Sequence, residues 1–178
     1  MTTTTNPKSI DGVTVIPLKS FGDDRGYFFE SYRRGWIPGG REMVQGNCSF
    51  SKKGVLRGLH YHRKQADLWT VPSGMVRAGL YDFRAGSPTF GLAQTLEIGV
   101  RNPMGLYIPK GVAHGFYALE DSFMTYLVDE YYDNSDELGI LWNDPALGVA
   151  WGARDPILSK RDQDNPPLAS IPADRRPG

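Results

Sequence analysis

Hydrophobic and aromatic residues are grouped along the chain in short segments that are separated by turns containing glycine and proline. These segments are Val13–Leu18, Tyr27–Tyr32, Leu68–Val71, Val76–Phe83, Leu92–Ile98, Leu106–Ile108 and Ser122–Tyr131. Turns are predicted at Gly22–Gly26, Ala85–Pro88 and Arg101–Gly105. Many short strands without a convincing long amphipathic helix favour an all-β sandwich or barrel, a class that includes the double-sheet jelly roll.

The segment 76–83 shows the period of two that is typical of a strand. Its even-numbered side chains are expected on one face and its odd-numbered side chains on the other. The tail 164–178 has four prolines, mixed charge and little periodicity, so it is predicted to be an irregular wrap or a loose end.

Composition sets limits on the class of protein. The 178 residues predict one domain, and 20 basic against 20 acidic residues give a formal charge of zero. A chain without net charge does not attract nucleic acid or an anionic membrane through its overall electrostatic field. No apolar run reaches the length of a transmembrane helix. A single cysteine, Cys48, excludes an intramolecular disulfide, and the polar residues 1–6 do not resemble a secretory signal. We therefore expect a cytoplasmic protein with neither nucleic acid nor membrane as a partner.

The three histidines, His60, His62 and His114, lie in two glycine-bounded clusters. On a strand, His60 and His62 would share one face. The spacing of Gly54, His60-x-His62, Asp67 and Gly74 resembles the first cupin motif, with aspartate where glutamate is usual. The run Pro109-x-Gly111-x-x-His114 resembles the core of the second motif. This resemblance implies a jelly-roll barrel with His60, His62, Asp67 and His114 at its mouth.

Nearly the whole chain also resembles the dTDP-4-dehydrorhamnose 3,5-epimerase family, a branch of the cupins. The matching runs are Asp24–Glu30, Gln45–Asn47, Gly54–His60, Gly86–Gly91, Ile108–Phe116, Leu141–Pro145 and Leu158–Asp162. The resemblance implies a single cupin-type double-stranded jelly-roll barrel over residues 1–178, with short flanking helical or irregular segments. Residues 1–50 would form N-terminal strands and a dimer arm, residues 51–150 the core, and residues 151–178 a C-terminal wrap.

The activity that this resemblance implies is epimerisation of a nucleotide-linked 4-keto-6-deoxysugar at C3, C5 or both, without a metal or another cofactor. Each inversion needs a base on one face of the sugar and an acid on the other. His60 matches the family's base, Asp162 the acidic group that orients it, and Tyr126 the acid. A neutral imidazole suits the first role because it titrates near neutrality.

Residues that bind substrate carry over from the family in the same way. Arg57 and Arg161 match positions near the diphosphate, and His114 matches a histidine near the sugar. The nucleotide contacts match Arg25, Phe28, Glu30, Gln45, Asn47 and Tyr132. The implied partners are a nucleotide-diphosphosugar, with dTDP as the expected nucleotide, and a second copy in a homodimer that exchanges N-terminal strands.

Two positions depart from the family pattern. Asp67 stands where the family usually has a lysine, in the run Gln65–Trp69, and Ala78 stands where it usually has that lysine's aspartate partner. In the family, the lysine helps to stabilise the enolate oxygen. Asp67 could be protonated or turned away, or another cation such as Arg57 or Lys110 could take over. Alternatively, His60, His62, Asp67 and His114 form a metal-binding set, or the protein binds sugar nucleotides without catalysis.

Overall fold

The computed structural model describes residues 9–177, so the threonine-rich residues 1–6 lie outside the described part. The strands are β1 Thr14–Pro17, β2 Ser20–Asp23, β3 Gly26–Phe29, β4 Gln45–Ser51, β5 Leu56–Tyr61, β6 Asp67–Ser73, β7 Met75–Asp82, β8 Ala93–Gly99, β9 Met104–Ile108, β10 Val112–Ala118, β11 Ser122–Val128 and β12 Leu138–Gly139. One short α-helix, α1, spans Lys160–Asp164. Single 3₁₀ turns are at Arg34–Trp36, Pro38–Gly40, Asn134–Asp136, Leu168–Ser170 and Ala173–Arg175.

The strands form two antiparallel sheets of five strands each. Their orders are β1-β9-β6-β11-β4 and β12-β5-β10-β7-β8, and β2 with β3 forms a separate hairpin. The all-β jelly-roll prediction is confirmed. Each apolar segment predicted from patterning overlaps a strand, whereas five strands lie outside these segments: β2, β4, β5, β10 and β12. The segments starting at Tyr27 and Ser122 extend three residues beyond their strands, to Tyr32 and Tyr131.

The hydrophobic pattern does not predict strand β4, because the sequence of this strand is rich in small and polar residues. Its residues pair one for one with β11, from Gln45 opposite Val128 to Ser51 opposite Ser122. Hydrogen bonds between the backbones of β4 and β11 do not require hydrophobic side chains. The sheet therefore includes β4 although its hydrophobic pattern is weak.

Both faces of β7 are buried, for different reasons. Val76, Ala78 and Leu80 lie in the core between the sheets. Tyr81 on the opposite face belongs to a second apolar cluster that includes Trp151 from the C-terminal part of the chain. Gly79 permits this packing, since a Cβ atom there would lie 2.5 Å from the Trp151 ring.

The tail packs as a wrap and is not a loose end. Ile171 is buried in the same second cluster, and the Tyr61 hydroxyl donates a hydrogen bond to the backbone oxygen of Arg175. Within the described residues, no helix is both long enough and apolar enough to cross a membrane.

Candidate active site

A cavity of about 450 Å³ opens between the two sheets. Strands β5 and β10 contribute to one wall, and β4, β6 and β11 contribute to the other. Among the predicted site residues, those that line the cavity are Gln45, Asn47, Arg57, His60, His62, Asp67, His114, Tyr126, Tyr132 and Arg161. Both His60 and His62 therefore face the same space, as their spacing predicted.

The register of β5 and β10 sets His60 opposite His114. Close approach of the two backbones requires glycine at this crossing: a Cβ atom on Gly58 would lie 2.7 Å from the Cα atom of Gly115. Gly58 also has a φ of +121°, which favours glycine. The glycines next to the histidines thus have a structural role in placing the imidazoles.

His60 forms a hydrogen bond with Asp162, from Nε2 to Oδ1 at 2.6 Å. Asp162 lies in α1, whose N-cap is Ser159. The Ser159 hydroxyl donates to Asp162 Oδ2 at 2.8 Å and accepts from the Asp162 backbone N–H. Burial would raise the pKa of Asp162, but the hydrogen bonds from His60 and Ser159 outweigh it and lower the pKa. Asp162 is therefore an anion that holds the hydrogen of His60 on Nε2 and leaves Nδ1 able to accept a proton.

Tyr126 lies on β11, in the sheet opposite His60. It pairs with Asn47 of β4 on one side and Trp69 of β6 on the other. Burial, together with the negative charges of Asp67 and Glu137, raises the pKa of the Tyr126 hydroxyl. This hydroxyl therefore stays protonated at neutral pH and is available as a proton donor.

Asp67 is buried with hydrogen-bond donors on both oxygens. The side-chain amide of Gln65 donates to Oδ1 at 2.9 Å, and the Trp69 indole donates to Oδ2 at 3.1 Å. Both donors lie in the run Gln65–Trp69, which carries the departure at Asp67. The Asp67 carboxylate points towards the cavity and is stabilised there by residues two positions away on either side.

The second departure from the family pattern, Ala78, is an apolar side chain among other apolar side chains. Ala78 is fully buried in the same apolar core as Trp69 and Phe116. A charged side chain at this position would need a partner that the surrounding apolar residues do not supply. The loss of the family aspartate therefore agrees with the loss of its lysine.

Two arginines bring positive charge to the cavity. Arg57 donates from Nε to the Ser51 hydroxyl at 3.0 Å, and Arg161 forms an ion pair with Glu137 at 3.0 Å. Lys110, which the sequence offered as another cation, does not line this cavity.

Sequence reasoning missed several lining residues: Ser49, Gln65, Trp69, Gly115, Phe116, Met124 and Glu137. Most of them lie two positions from a predicted site residue on the same strand or strand end. Gln65 and Trp69, for example, flank Asp67. Applying the strand period to each predicted residue would have found these neighbours. Glu137 follows a 3₁₀ turn and carries no such signal.

Three predicted binding residues lie outside the cavity. Arg25 is in the β2–β3 hairpin turn, Phe28 is on β3 and Glu30 follows that strand. Phe28 is 65% exposed, Arg25 pairs with Asp23, and Glu30 pairs with Arg33. Within one copy of the chain, these three residues do not join the other predicted site residues.

A histidine with a buried acidic partner, facing a tyrosine across a β-barrel cavity, defines an enzyme site that moves protons. Comparisons with known proteins agree. The family described as dTDP-4-dehydrorhamnose 3,5-epimerase matches residues 7–170. A relative of that name from Salmonella typhimurium is 41% identical over 169 residues, which cover 90% of this chain and 92% of the relative.

Two further matches agree with this assignment. A relative of the same name from Neisseria gonorrhoeae is 40% identical over 161 residues, and the match covers 86% of this chain but only 49% of that longer protein. The crystal structure of a dTDP-6-deoxy-D-glucose-3,5-epimerase from Legionella pneumophila, in complex with dTDP-4-keto-L-rhamnose, has a TM-score of 0.88 and 36% identity. It covers 96% of this chain and 95% of its own. The chain belongs to the dTDP-4-dehydrorhamnose 3,5-epimerase family, and the predicted class of sugar-nucleotide epimerase is confirmed.

Proposed function

We propose that this protein inverts C3, C5 or both in a dTDP-linked 4-keto-6-deoxysugar, with His60 as the base and Tyr126 as the acid. The observation that carries this proposal is the placement of the His60–Asp162 pair and Tyr126 on opposite sheets around one cavity. The Legionella relative, which binds dTDP-4-keto-L-rhamnose, supports the nucleotide and the sugar class.

In the first half of the reaction, Nδ1 of His60 takes the proton from the carbon next to the ketone. The C–H electron pair moves into the C–C bond, and negative charge develops on the ketone oxygen as an enolate. Asp162 stabilises the imidazolium that forms on His60. A positioned base of this kind typically contributes about 10²–10⁴-fold in rate.

In the second half, the Tyr126 hydroxyl returns a proton to the same carbon from the opposite face, and the enolate electrons re-form the ketone. The configuration is thereby inverted. The net change is transfer of one proton from tyrosine to histidine, and exchange with solvent restores both groups.

The nucleotide part of the substrate would extend from the cavity past the arginines. Guanidinium groups suit phosphate oxygens, so Arg57 and Arg161 are proposed to bind the diphosphate. Gln45, Asn47 and Tyr132 would contact the nucleotide, and His114 the sugar.

The exposed hairpin residues Arg25, Phe28 and Glu30 would serve the cavity of a second copy, with Phe28 stacking on the base. This arrangement makes the protein a homodimer. We place the reaction in the cytoplasm, where nucleotide-linked sugars would meet a chain whose single thiol is free.

The test is deuterium uptake at C3 and C5 of a dTDP-4-keto-6-deoxysugar in heavy water. We expect uptake with inversion at one or both carbons, and loss of both in His60→Ala. Uptake no greater than that of His60→Ala would refute the proposal. Stabilisation by dTDP without any turnover would instead identify a non-catalytic binder.

A further inference from the structure

The hydrogen-bond partners of two buried histidines fix their tautomers. Nδ1 of His62 lies 3.0 Å from the backbone oxygen of Asp136, and Nδ1 of His114 lies 2.9 Å from the backbone oxygen of Val112. A carbonyl oxygen only accepts hydrogen bonds, so each Nδ1 carries a hydrogen and donates it. With that hydrogen on Nδ1, the Nε2 atom of each neutral ring has a free lone pair.

A carboxylate faces these two rings. Oδ2 of Asp67 lies 3.9 Å from Nε2 of His114, and one ligand atom from each of His62, Asp67 and His114 lies within 4.8 Å of the others. All three side chains are buried. Across residues 9–177, no hydrogen-bond donor reaches either Nε2. The Nε2 lone pairs of two imidazoles and the Asp67 carboxylate, whose oxygens also accept hydrogen bonds from Gln65 and Trp69, therefore meet in one buried corner that favours a cation.

We infer that His62, Asp67 and His114 bind one divalent transition-metal ion. Two imidazole nitrogens and one carboxylate oxygen suit Zn²⁺, Fe²⁺, Mn²⁺ or Co²⁺. The hydrogen bonds from Nδ1 to backbone carbonyls are the outer contacts that orient histidine ligands in metal sites. His60 is not a member of this group, and its Nε2 is hydrogen-bonded to Asp162 instead.

The site is close to the size that an ion needs. Ligand atoms at about 2.1 Å from one ion lie about 3.0–3.4 Å apart. Binding would draw the three ligand atoms together from the observed separations of up to 4.8 Å. The remaining coordination positions would face the cavity, since all three residues line it together with His60 and Tyr126.

This inference rests on the proposed function for its role in catalysis. Asp67 lines the cavity and places negative charge near the position where the enolate would form. An ion on His62, Asp67 and His114 would offset that charge and act as a Lewis acid for the ketone oxygen. His60 would stay free to act as the base, and no electron transfer is involved.

The test measures metal binding directly, without substrate. Untagged protein is stripped with a chelator and titrated with Co²⁺, followed by visible absorption, and with Zn²⁺, followed by calorimetry. We expect one ion per chain, and a Zn²⁺-dependent rise in the unfolding temperature. His62→Gln and His114→Gln should weaken binding by about tenfold or more. The matched control His60→Gln should bind as tightly as the original protein.

The outcomes separate this inference from the proposed function. Absence of saturable Co²⁺ and Zn²⁺ binding by the unmodified protein would overturn the inference, and so would an equal loss of binding in His60→Gln. If deuterium exchange nevertheless proceeds in the chelated protein, the epimerase proposal stands without the ion. Metal binding without any exchange would leave the metal site in place and refute the epimerase proposal.

Discussion

Nε2 of His60 lies 2.6 Å from Oδ1 of Asp162, although the two residues are 102 positions apart in the chain. His60 is on β5 in the barrel, and Asp162 is in the short helix α1 near the C-terminus. The ring tautomer of His60 therefore depends on how the C-terminal part of the chain packs on the barrel.

We expect Asp162→Asn to slow deuterium exchange next to the ketone by about 10²–10⁴-fold, because the imidazolium loses its anionic partner. The measurement is the exchange rate by NMR, with circular dichroism to verify the fold. Asp164→Asn, on the same helix but exposed, is the matched control and should exchange normally. Equal slowing in both variants would show that the helix, and not the carboxylate, matters.

Tyr126→Phe should separate the two halves of the reaction. His60 can still remove the proton and return it to the same face, so exchange with solvent should persist at one or both carbons. Inversion should fall by about 10²–10⁴-fold, because the opposite face has lost its acid. The measurement is the stereochemistry and the deuterium content of the product in the same sample, which separate inversion from exchange. Full inversion in this variant would exclude Tyr126 as the acid.

Ala78→Asp should lower the unfolding free energy by about 3–5 kcal/mol, because it places an unpaired carboxylate in the apolar core. Adding Asp67→Lys should recover part of that loss by supplying a cation. The measurement is urea unfolding of both single variants and the double variant, analysed as a double-mutant cycle. Additive losses would show that positions 67 and 78 do not form the family's ion pair in this chain.

The buried Asp82 is expected to make stability depend on acid pH. Burial would raise its pKa, but hydrogen bonds from Arg84, Ser87 and Thr89 lower it from 3.8 to about 2. The unfolded chain thus binds the proton more tightly than the folded one, so the contribution of about 2 kcal/mol is complete above pH ~4 and is lost as the pH falls towards 2.

The stability gap between the original protein and Asp82→Asn should therefore narrow by about 1 kcal/mol between pH 6 and pH 3. Urea unfolding at each pH measures this gap. Asp24→Asn, in the exposed hairpin turn, is the control. A gap that does not change with pH would contradict the assignment to Asp82.

Phe28→Ala should weaken dTDP binding by about tenfold, since stacking on a base is worth about 1–3 kcal/mol, and should leave the unfolding free energy nearly unchanged because the ring is exposed. Calorimetric titration with dTDP measures this. Phe90→Ala removes another exposed ring outside the predicted site and should bind normally. Unchanged dTDP binding in Phe28→Ala would show that Phe28 of the hairpin does not contribute to the nucleotide site.

The sequence by itself determined the class of fold, the family and most of the cavity lining. Period-two patterning gives strands because alternate side chains must face a core, and this local rule holds wherever apolar residues are dense. The resemblance to the family supplied His60, Tyr126 and Asp162, and the cavity brings His60 and Tyr126 together. Patterning did not mark β2, β4, β5, β10 or β12. The position of β4, for example, depends on its pairing with β11.

Only the tertiary structure decided how these groups interact. The tautomers of His62 and His114 follow from carbonyl oxygens that come from backbone positions no sequence motif specifies. Packing in three dimensions likewise decides which groups donate hydrogen bonds to Asp67. It also decides that three predicted binding residues lie outside the cavity: Arg25, Phe28 and Glu30. A residue's type fixes which bonds it can make, whereas the fold decides which partners come within reach.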